Sequence, residues 1–424
     1  MNFLAKKNPD RWYQLAWWLC VVTLPWIDMA NNISLISLTL LWIGEGNFVI
    51  KWQRVKSSPW IWPFLIYYSI LVVGLFYTTD FDNGLFTLDK KISFLILPLI
   101  MSTGKPLPEN FVKLLNRSFV YSCCAVILIC LVNSAYSFYK GGASANFDFN
   151  TYENFKAIHP DTSLFWTHFS YIQLAHWAGI HPGYLSMYLA FCLVILYREE
   201  YLSNAERGIH FAIGLLIVCF LALLTSRMAI IAFICCTFYF TLKEIQGKYF
   251  KTILFTVSFS FILLCFLLLN PVARYRVIDE PSLTTYRADR AVTNWNSVSY
   301  RLLEWEGGWW VISNHWLTGV GTGGAKMAMD NFYAHYNSTT VGLEHNAHNQ
   351  YLQTWMESGI LGLFVFLLCL WAGVFRLYKD SRYVCFILIF SLMCLTESIG
   401  ERHKGIVFFM VFQALFLGLE RRRG

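Results

Sequence analysis

The residues whose types and spacing suggest chemistry lie just before a long apolar stretch. His345, Asn346, His348 and Asn349 follow one another within a few positions. Asn is a favoured helix cap because its side chain accepts hydrogen bonds from the free N–H groups of the first turn. We therefore expect Asn346 to cap the following helix and His348 to lie in its first turn. The positive end of a helix disfavours imidazolium, so the sequence predicts a neutral imidazole near pH 7, suited to be a general base beside an anion site.

Two other interpretations of this cluster stay open. A His and Asn pair at a membrane edge can simply cap a helix. His345 and His348 are also three residues apart on one helical face, which is a spacing that metal ligands use. A third ligand is not evident apart from Glu344 or the distant His335. We therefore expect neither a metal site nor a cofactor.

Two arginines are placed where a charge is unexpected. Arg227, in "LLTSRMAII", lies at a predicted external helix boundary, where an ionisable residue is costly and suggests a function. Its simpler interpretation is a side chain that reaches the membrane interface. Arg301, in "SYRLLEWEGGWW", lies on a predicted amphipathic helix, and its simpler interpretation is an ion pair with Glu304 or Glu306.

Two acidic residues also lie at or inside predicted membrane helices. Glu357 and Glu397 are expected to pair with Arg227 or Lys404, and we assign them no catalytic role.

The composition indicates the kind of structure that must position these residues. Of 424 residues 56% are hydrophobic and 14% are charged, whereas a soluble domain carries about a quarter charged residues. A helix needs about 20 apolar residues to cross a bilayer, and only paired backbones are stable in lipid. The sequence therefore predicts an all-α, polytopic membrane protein. We predict twelve transmembrane helices, over residues 12–28, 33–50, 59–77, 84–101, 114–138, 180–197, 208–225, 227–242, 250–269, 350–375, 383–398 and 404–420.

The charge distribution supports this layout. With a cytoplasmic N-terminus, 20 of the 33 Lys and Arg residues fall on short cytoplasmic segments, as the positive-inside rule requires. Both termini are then cytoplasmic. The net charge of +7 follows from this topology, so we expect no nucleic-acid partner. All twelve cysteines lie inside predicted helices, which argues against disulfides and a cysteine metal site.

Three regions follow along the chain. Residues 1–269 carry nine helices and an external loop at about 139–179. Residues 270–349 form a large external loop, in which 294–313 is rich in Trp and predicts an amphipathic helix at the membrane interface. Residues 350–424 carry three helices and a basic cytoplasmic tail. "GVGTGG" at 319–324 lacks the Lys-Ser/Thr of a P-loop, so we interpret it as a tight turn.

The motif of His348-Asn349, nine residues, Gly359, two residues and Gly362 resembles the signature of the O-antigen ligase / O-antigen polymerase superfamily. The resemblance covers about residues 200–400. It implies a GT-C type, metal-independent glycosyltransferase that takes an undecaprenyl-diphosphate-linked glycan on the periplasmic face, with His348 as general base. We expect Gly359 and Gly362 to let another helix approach closely.

The same resemblance extends to other residues. Arg227 and Arg301 are similar to family arginines, and guanidinium forks suit the phosphates of such a donor. "IHPGYLSMYLAF" resembles a stretch of some members, so His181 and Tyr184 are expected along the donor path. Anchoring at the interface is the alternative for that pair.

Several functions stay open at this point. The resemblance implies a ligase of the bacterial inner membrane whose acceptor is lipid A-core. A polymerase that extends a growing glycan, or a protein O-oligosaccharyltransferase, would use the same residues. A lipid-linked oligosaccharide flippase is an alternative of a different class, although we detect no internal repeat of the kind that transporters show. A haem-handling membrane protein is a further alternative, suggested by "WEGGWW" and the external histidines.

Overall fold

A computed structural model describes residues 9–140, 164–197, 204–244, 261, 264–266, 268–279, 297–336 and 346–420. These residues are mostly helical and include no β-strand. The helices, numbered in chain order, are α1 (Pro9–Val22), α2 (Asp28–Gly44), α3 (Phe48–Lys56), α4 (Trp62–Gly74), α5 (Phe81–Lys91), α6 (Ser93–Thr103), α7 (Glu109–Tyr139), α8 (Leu164–His168), α9 (Tyr171–His176), α10 (Pro182–Tyr197), α11 (Asn204–Leu224), α12 (Arg227–Glu244), α13 (Pro271–Arg274), α14 (Ser297–His315), α15 (Ala325–His335), α16 (Gln350–Trp371), α17 (Val374–Leu377), α18 (Ser381–Met393) and α19 (His403–Glu420).

Three helical stretches in the described ranges are long and apolar enough to cross a membrane: Glu109–Tyr139, Ala205–Leu224 and Gln350–Leu377. The α2–α3 pair, bent by 107°, adds a fourth if it is counted as one span. Shorter apolar helices cover Pro59–Gly74, Pro182–Tyr197, Ser381–Met393 and His403–Gly418. The all-α membrane character is thus confirmed, whereas the number of crossings stays a prediction.

The predicted helices and the observed helices differ most clearly in two places. The helix predicted over 33–50 is interrupted, because α2 ends at Gly44 and α3 begins at Phe48 at an angle of 107°. The single helix predicted over 84–101 is wrong, because α5 ends at Lys91 and α6 begins at Ser93. The end of α5 carries Asp89, Lys90 and Lys91, and the Lys91 ammonium forms ion pairs inside the protein. The helix predicted over 250–269 lies mostly outside the described residues.

Two helices form the centre of the bundle. Every residue of α10 from Pro182 to Leu196 is buried, and α19 is buried along most of its length. A helix that is apolar on all sides must be surrounded by protein or lipid. Here α10 packs against α7, α11, α12 and α18, and α19 packs against α6.

A smaller second core lies outside the bundle. Helices α14 and α15 pack on each other and on α16 through apolar side chains that include Leu303, Val311, Phe332 and Met356. Helix α14 thus covers most of the segment predicted over 294–313, while its location at the membrane interface stays a prediction.

The turn at 319–324 holds this unit on the bundle. Oγ1 of Thr322 donates to the Leu71 carbonyl (2.6 Å), and the Gly323 amide donates to Oγ1 of Thr78 (3.0 Å). Gly321 has φ +86°, and a Cβ there would lie 2.6 Å from Cα of Thr78. The glycine-rich turn thus lets two backbones meet.

Candidate functional site

The start of α16 differs from the predicted cap. Asn349, rather than Asn346, caps the helix: its side chain accepts from the amides of Tyr351 (3.0 Å) and Leu352 (3.1 Å). The Asn346 side chain accepts from the His348 amide (2.8 Å) in a local turn. His348 therefore precedes the cap and lies outside the first turn.

The backbone at His348 is strained. Its φ is +40°, a left-handed conformation that costs energy for a residue with a Cβ. Such conformations persist where surrounding contacts enforce them, and they are common at functional sites. The turn around Asn346 and the capped helix together hold His348 in this position.

Two carboxylates face the His348 ring. Nδ1 lies 3.3 Å from Oε2 of Glu397, and Nε2 lies 3.9 Å from Oε1 of Glu304. The His348 side chain is 36% exposed, while those of Glu397 and Glu304 are 12% and 3% exposed. Nδ1 is inaccessible to solvent. The ring therefore turns Nδ1 inward to a carboxylate and leaves Nε2 as the nitrogen available to a ligand.

The charges around His348 set its basicity. Burial, the largest influence, lowers the pKa of His348. The contact with Glu397 and the charges of Glu304 and Glu397 outweigh it, so that the pKa is raised above its usual value. The sequence predicts that a helix N-terminus disfavours imidazolium here, but the ring lies outside the first helical turn and two carboxylates shift its pKa upward instead. Once deprotonated, His348 is a stronger base than an isolated histidine.

Arg301 lies in α14 and joins this cluster through Glu397. Its Nη2 donates to Oε1 of Glu397 (2.8 Å), and its Nε donates to the Thr396 carbonyl (3.2 Å). Glu397, rather than Glu304 or Glu306, is thus its ion-pair partner. Burial raises the pKa of Glu397, but His348, Arg301 and His181 outweigh burial and lower that pKa to about 2. Glu397 is therefore a carboxylate between two cationic groups.

Arg227 reaches the same place from a different helix. It is the first residue of α12, after Thr225 with φ +50°. Its Nη2 donates to the Ser297 hydroxyl (2.9 Å), while Nη1 of Arg301 donates to the Ser297 carbonyl (3.1 Å). One serine therefore accepts from both arginines and brings the two guanidinium groups together.

His181 and Tyr184 lie next to this cluster. His181 directly precedes α10, and its ring centroid is 6.2 Å from that of Tyr184 and 6.4 Å from that of Tyr171. Burial lowers the pKa of His181, with smaller influences from Glu397, His348, Arg276 and Arg301. The Arg276 guanidinium stacks 3.3 Å from the centre of the Tyr171 ring. Aromatic and cationic groups thus border the site on the side of α10.

Gly359 and Gly362 lie in the middle of α16. Gly359 has φ +65° and kinks the helix. At the kink the Val320 amide donates to the Met356 carbonyl (2.8 Å), and the Ile360 amide donates to the Trp316 carbonyl (3.0 Å). The segment that approaches Gly359 is thus a backbone turn rather than the expected helix. Gly362 faces α4, where a Cβ would lie 3.7 Å from Cγ2 of Ile70.

A second charge cluster is buried behind the site. Nζ of Lys91 lies 2.7 Å from Oε2 of Glu357 and 2.5 Å from Oε1 of Glu401. Gln353 donates to Oε1 of Glu357 (2.8 Å). Neither acidic residue follows the predicted pairing with Arg227 or Lys404, since Glu357 pairs with Lys91 and Glu397 with Arg301. Lys404 pairs with Asp28 instead (3.1 Å).

The predicted metal alternative has little support. No group of three His, Cys, Asp or Glu side chains in the described ranges could hold a metal ion. His345 and Glu344, which belong to that alternative, lie outside the described residues.

Sequence reasoning missed the two carboxylates at His348. Glu397 ends a predicted apolar helix, and an acidic residue in that setting is itself a signal of function. Glu304 is one helical turn from Arg301, on the buried face of α14. Their proximity to His348 depends on the packing of α14 and α16 and on the loop after α18, so no local pattern reveals it.

A comparison with known protein families gives one match. Residues 212–367 match a family described as O-antigen ligase. The matched range includes Arg227, Arg301, His348, Gly359 and Gly362. No match is found among curated proteins. The match over 212–367 supports the resemblance of this part of the chain to the O-antigen ligase superfamily.

Proposed function

We propose that this protein is an inner-membrane glycosyltransferase that transfers a glycan from an undecaprenyl-diphosphate-linked donor to an acceptor hydroxyl on the periplasmic face. The observation that carries the proposal is the connection of three residues from separate segments of the chain. Ser297 joins Arg227 to Arg301, and Glu397 joins Arg301 to His348.

The two arginines suit the donor diphosphate. Guanidinium groups stay charged at any relevant pH and pair with phosphate oxygens through two parallel hydrogen bonds. In the proposed reaction they stabilise the negative charge that develops on the leaving diphosphate, a task that requires no metal ion. The lipid tail of the donor stays in the bilayer, and His181 and Tyr184 border its path.

His348 acts as the general base. The acceptor hydroxyl attacks the anomeric carbon from the face opposite the diphosphate, so the configuration inverts. A bond forms between the acceptor oxygen and that carbon, and the carbon–oxygen bond to the diphosphate breaks. Nε2 of His348 takes the hydroxyl proton, while Glu397 at Nδ1 fixes the ring and stabilises the imidazolium. Undecaprenyl diphosphate leaves with the bonding electrons.

The acceptor distinguishes three versions of this activity. A ligase uses lipid A-core, a polymerase uses a second lipid-linked glycan, and a protein O-oligosaccharyltransferase uses a protein hydroxyl. We propose the ligase version, because the matched family is described as O-antigen ligase.

The test is a reconstituted assay. The purified protein is incubated with a defined undecaprenyl-diphosphate glycan and, in separate reactions, with lipid A-core, a second donor molecule or a protein acceptor. We expect product on lipid A-core and none with His348→Ala. Transfer by His348→Ala at the wild-type rate would refute the role of His348. Donor translocation across vesicles without any transfer would favour a flippase, and a haem absorbance band in the purified protein would favour haem handling.

A further inference from the structure

A cavity of about 590 Å³ opens between the N-terminal helices, away from the site described above. Its wall includes the apolar side chains of Leu40, Leu41 and Ile50 and the charged side chains of Lys51 and Arg54. The wall thus combines apolar and basic side chains, together with the acidic Glu45.

Its position follows from the course of α2. This helix begins at Asp28, whose carboxylate pairs with Lys404 directly after the loop that carries Glu397. It ends at Gly44, which lines the cavity. A helix of 17 residues is about 25 Å long. The cavity therefore lies about the length of α2 away from the Asp28–Lys404 pair, at the other end of that helix.

The bend between α2 and α3 forms part of the wall of the cavity. The two helices meet at 107°, so α3 runs across the end of α2. Helix α3 exposes Phe48, Val49 and Trp52 and also carries basic residues. Such a composition is typical of a helix that lies in the membrane interface.

Of the three basic side chains that line the cavity, two form ion pairs with carboxylates. Nζ of Lys51 lies 3.4 Å from Oε2 of Glu45, and Nζ of Lys105 lies 2.6 Å from Oδ1 of Asp10. Nη1 of Arg54 donates to the Thr103 carbonyl (2.7 Å), a neutral group. Among the described residues, no carboxylate lies within ion-pair distance of Arg54. The remaining N–H groups of its guanidinium can therefore serve a ligand.

We propose that this cavity binds an anionic glycerophospholipid. Its phosphodiester, with a single negative charge, would accept hydrogen bonds from Arg54 and balance the one unpaired cation. The acyl chains would lie along Leu40, Leu41 and Ile50, toward the bilayer. Basic pockets between membrane helices bind anionic headgroups in this way.

The test measures lipid binding to the purified, delipidated full chain by native mass spectrometry. Phosphatidylglycerol, phosphatidylcholine and inorganic phosphate are added in separate titrations. We expect phosphatidylglycerol to bind about tenfold more tightly than phosphatidylcholine, and inorganic phosphate not to bind, because it lacks the chains. Equal binding of both lipids, or tighter binding of inorganic phosphate, would overturn the proposal without any variant.

A matched pair of variants assigns the binding to Arg54. Arg54→Gln should weaken phosphatidylglycerol binding by about tenfold, the loss typical of one charged hydrogen bond. Lys56→Gln removes the same charge from the same helix, but Lys56 is outside the cavity wall. It should leave binding unchanged. Equal loss in both variants would indicate a diffuse surface attraction and contradict a site. Gel filtration of each variant establishes that it is folded.

Discussion

Two charge clusters share the loop between α18 and α19, and they are built for different purposes. Glu397 belongs to the cluster with His348 and Arg301, and Glu401, four residues later, belongs to the cluster with Lys91. The His348 side chain is 36% exposed, whereas Lys91 and Glu357 are 1% and 3% exposed. The first, the open cluster, leaves a nitrogen of His348 available to a ligand. The second, the closed cluster, encloses the charges of Lys91, Glu357 and Glu401.

The closed arrangement of charges has a structural role. A buried ion pair adds little net stability, because desolvation offsets the attraction, but losing one partner is costly. The cluster at Lys91 therefore fixes one arrangement of α5, α16 and the loop. Because that loop also carries Glu397, the closed cluster also fixes the position of Glu397 relative to His348.

The largest effect is expected when the open cluster loses its base. His348→Gln should reduce glycan transfer by about a hundredfold or more, the usual contribution of a general base. The free energy of unfolding should change little, because the side chain is partly exposed. Transfer assays and thermal unfolding, measured on the same preparation, test this separation. A large fall in the free energy of unfolding together with wild-type transfer activity would contradict this prediction.

The reverse pattern is expected in the closed cluster. Lys91→Met leaves two buried carboxylates without their cation and should lower the free energy of unfolding by about 3–5 kcal/mol. Lys90→Met is the control, since Lys90 is more exposed and lies 3.8 Å from Glu401. Thermal unfolding in detergent measures both. Combining Lys91→Met with Glu357→Gln and Glu401→Gln should restore much of the loss. Failure of this combination to recover stability would argue against charge as the cause.

Arginine geometry can be separated from arginine charge. Arg227→Lys and Arg301→Lys keep a cation but cannot form the paired hydrogen bonds to phosphate. We expect KM for the donor to rise about tenfold, with a smaller change in kcat. Arg382→Lys is the control, because Arg382 pairs with Asp380 at the far end of α18. An unchanged KM in both site variants would remove the arginines from donor binding.

The smallest expected effect is a shift along the pH axis. His348 must be deprotonated to act, and its pKa is raised in part by Glu397. The acidic limb of kcat/KM should therefore lie above pH 6.5, near which an isolated histidine titrates. Glu397→Gln removes one negative charge, so the pKa of His348 should fall and the limb should move to lower pH.

Glu306→Gln provides the control for this shift, because Glu306 lies on α14 and is not among the groups that influence His348. Its pH profile should match that of the wild type. An identical limb in Glu397→Gln and the wild type would show that Glu397 does not tune the base.

Most of the helices could be predicted because their signal is local. Apolar runs of the right length predict α7, α11 and α16, and lipid leaves a paired helical backbone as the stable choice. The break at Ile92 was not predictable in the same way. It lies in a largely apolar stretch, and Lys90 and Lys91 before it pair with Glu357 and Glu401 elsewhere in the chain.

The candidate site likewise combines residues with a local sequence signal and contacts that depend on distant residues. His348, Arg227 and Arg301 could be identified from their residue types, their settings and a short motif. The sequence predicts Asn346 as the helix cap, whereas the structure has Asn349. Both residues are good caps, and only the turn through His348 decides between them. The basicity of His348 was assigned in the wrong direction, because its carboxylates come from residues 44 positions before and 49 positions after it.

The sequence alone indicates an all-α membrane protein, and a histidine at the start of a helix in a motif that resembles that of O-antigen ligases. Those features depend on composition and on spacing within a few turns of helix. Only the tertiary structure decided that Ser297 joins two arginines, that Glu397 faces His348 and that Lys91 neutralises Glu357. These contacts bring together residues far apart in the sequence: Arg227 and Ser297, His348 and Glu397, and Lys91 and Glu357. Such pairing depends on how the helices pack, and packing is decided by the whole chain at once.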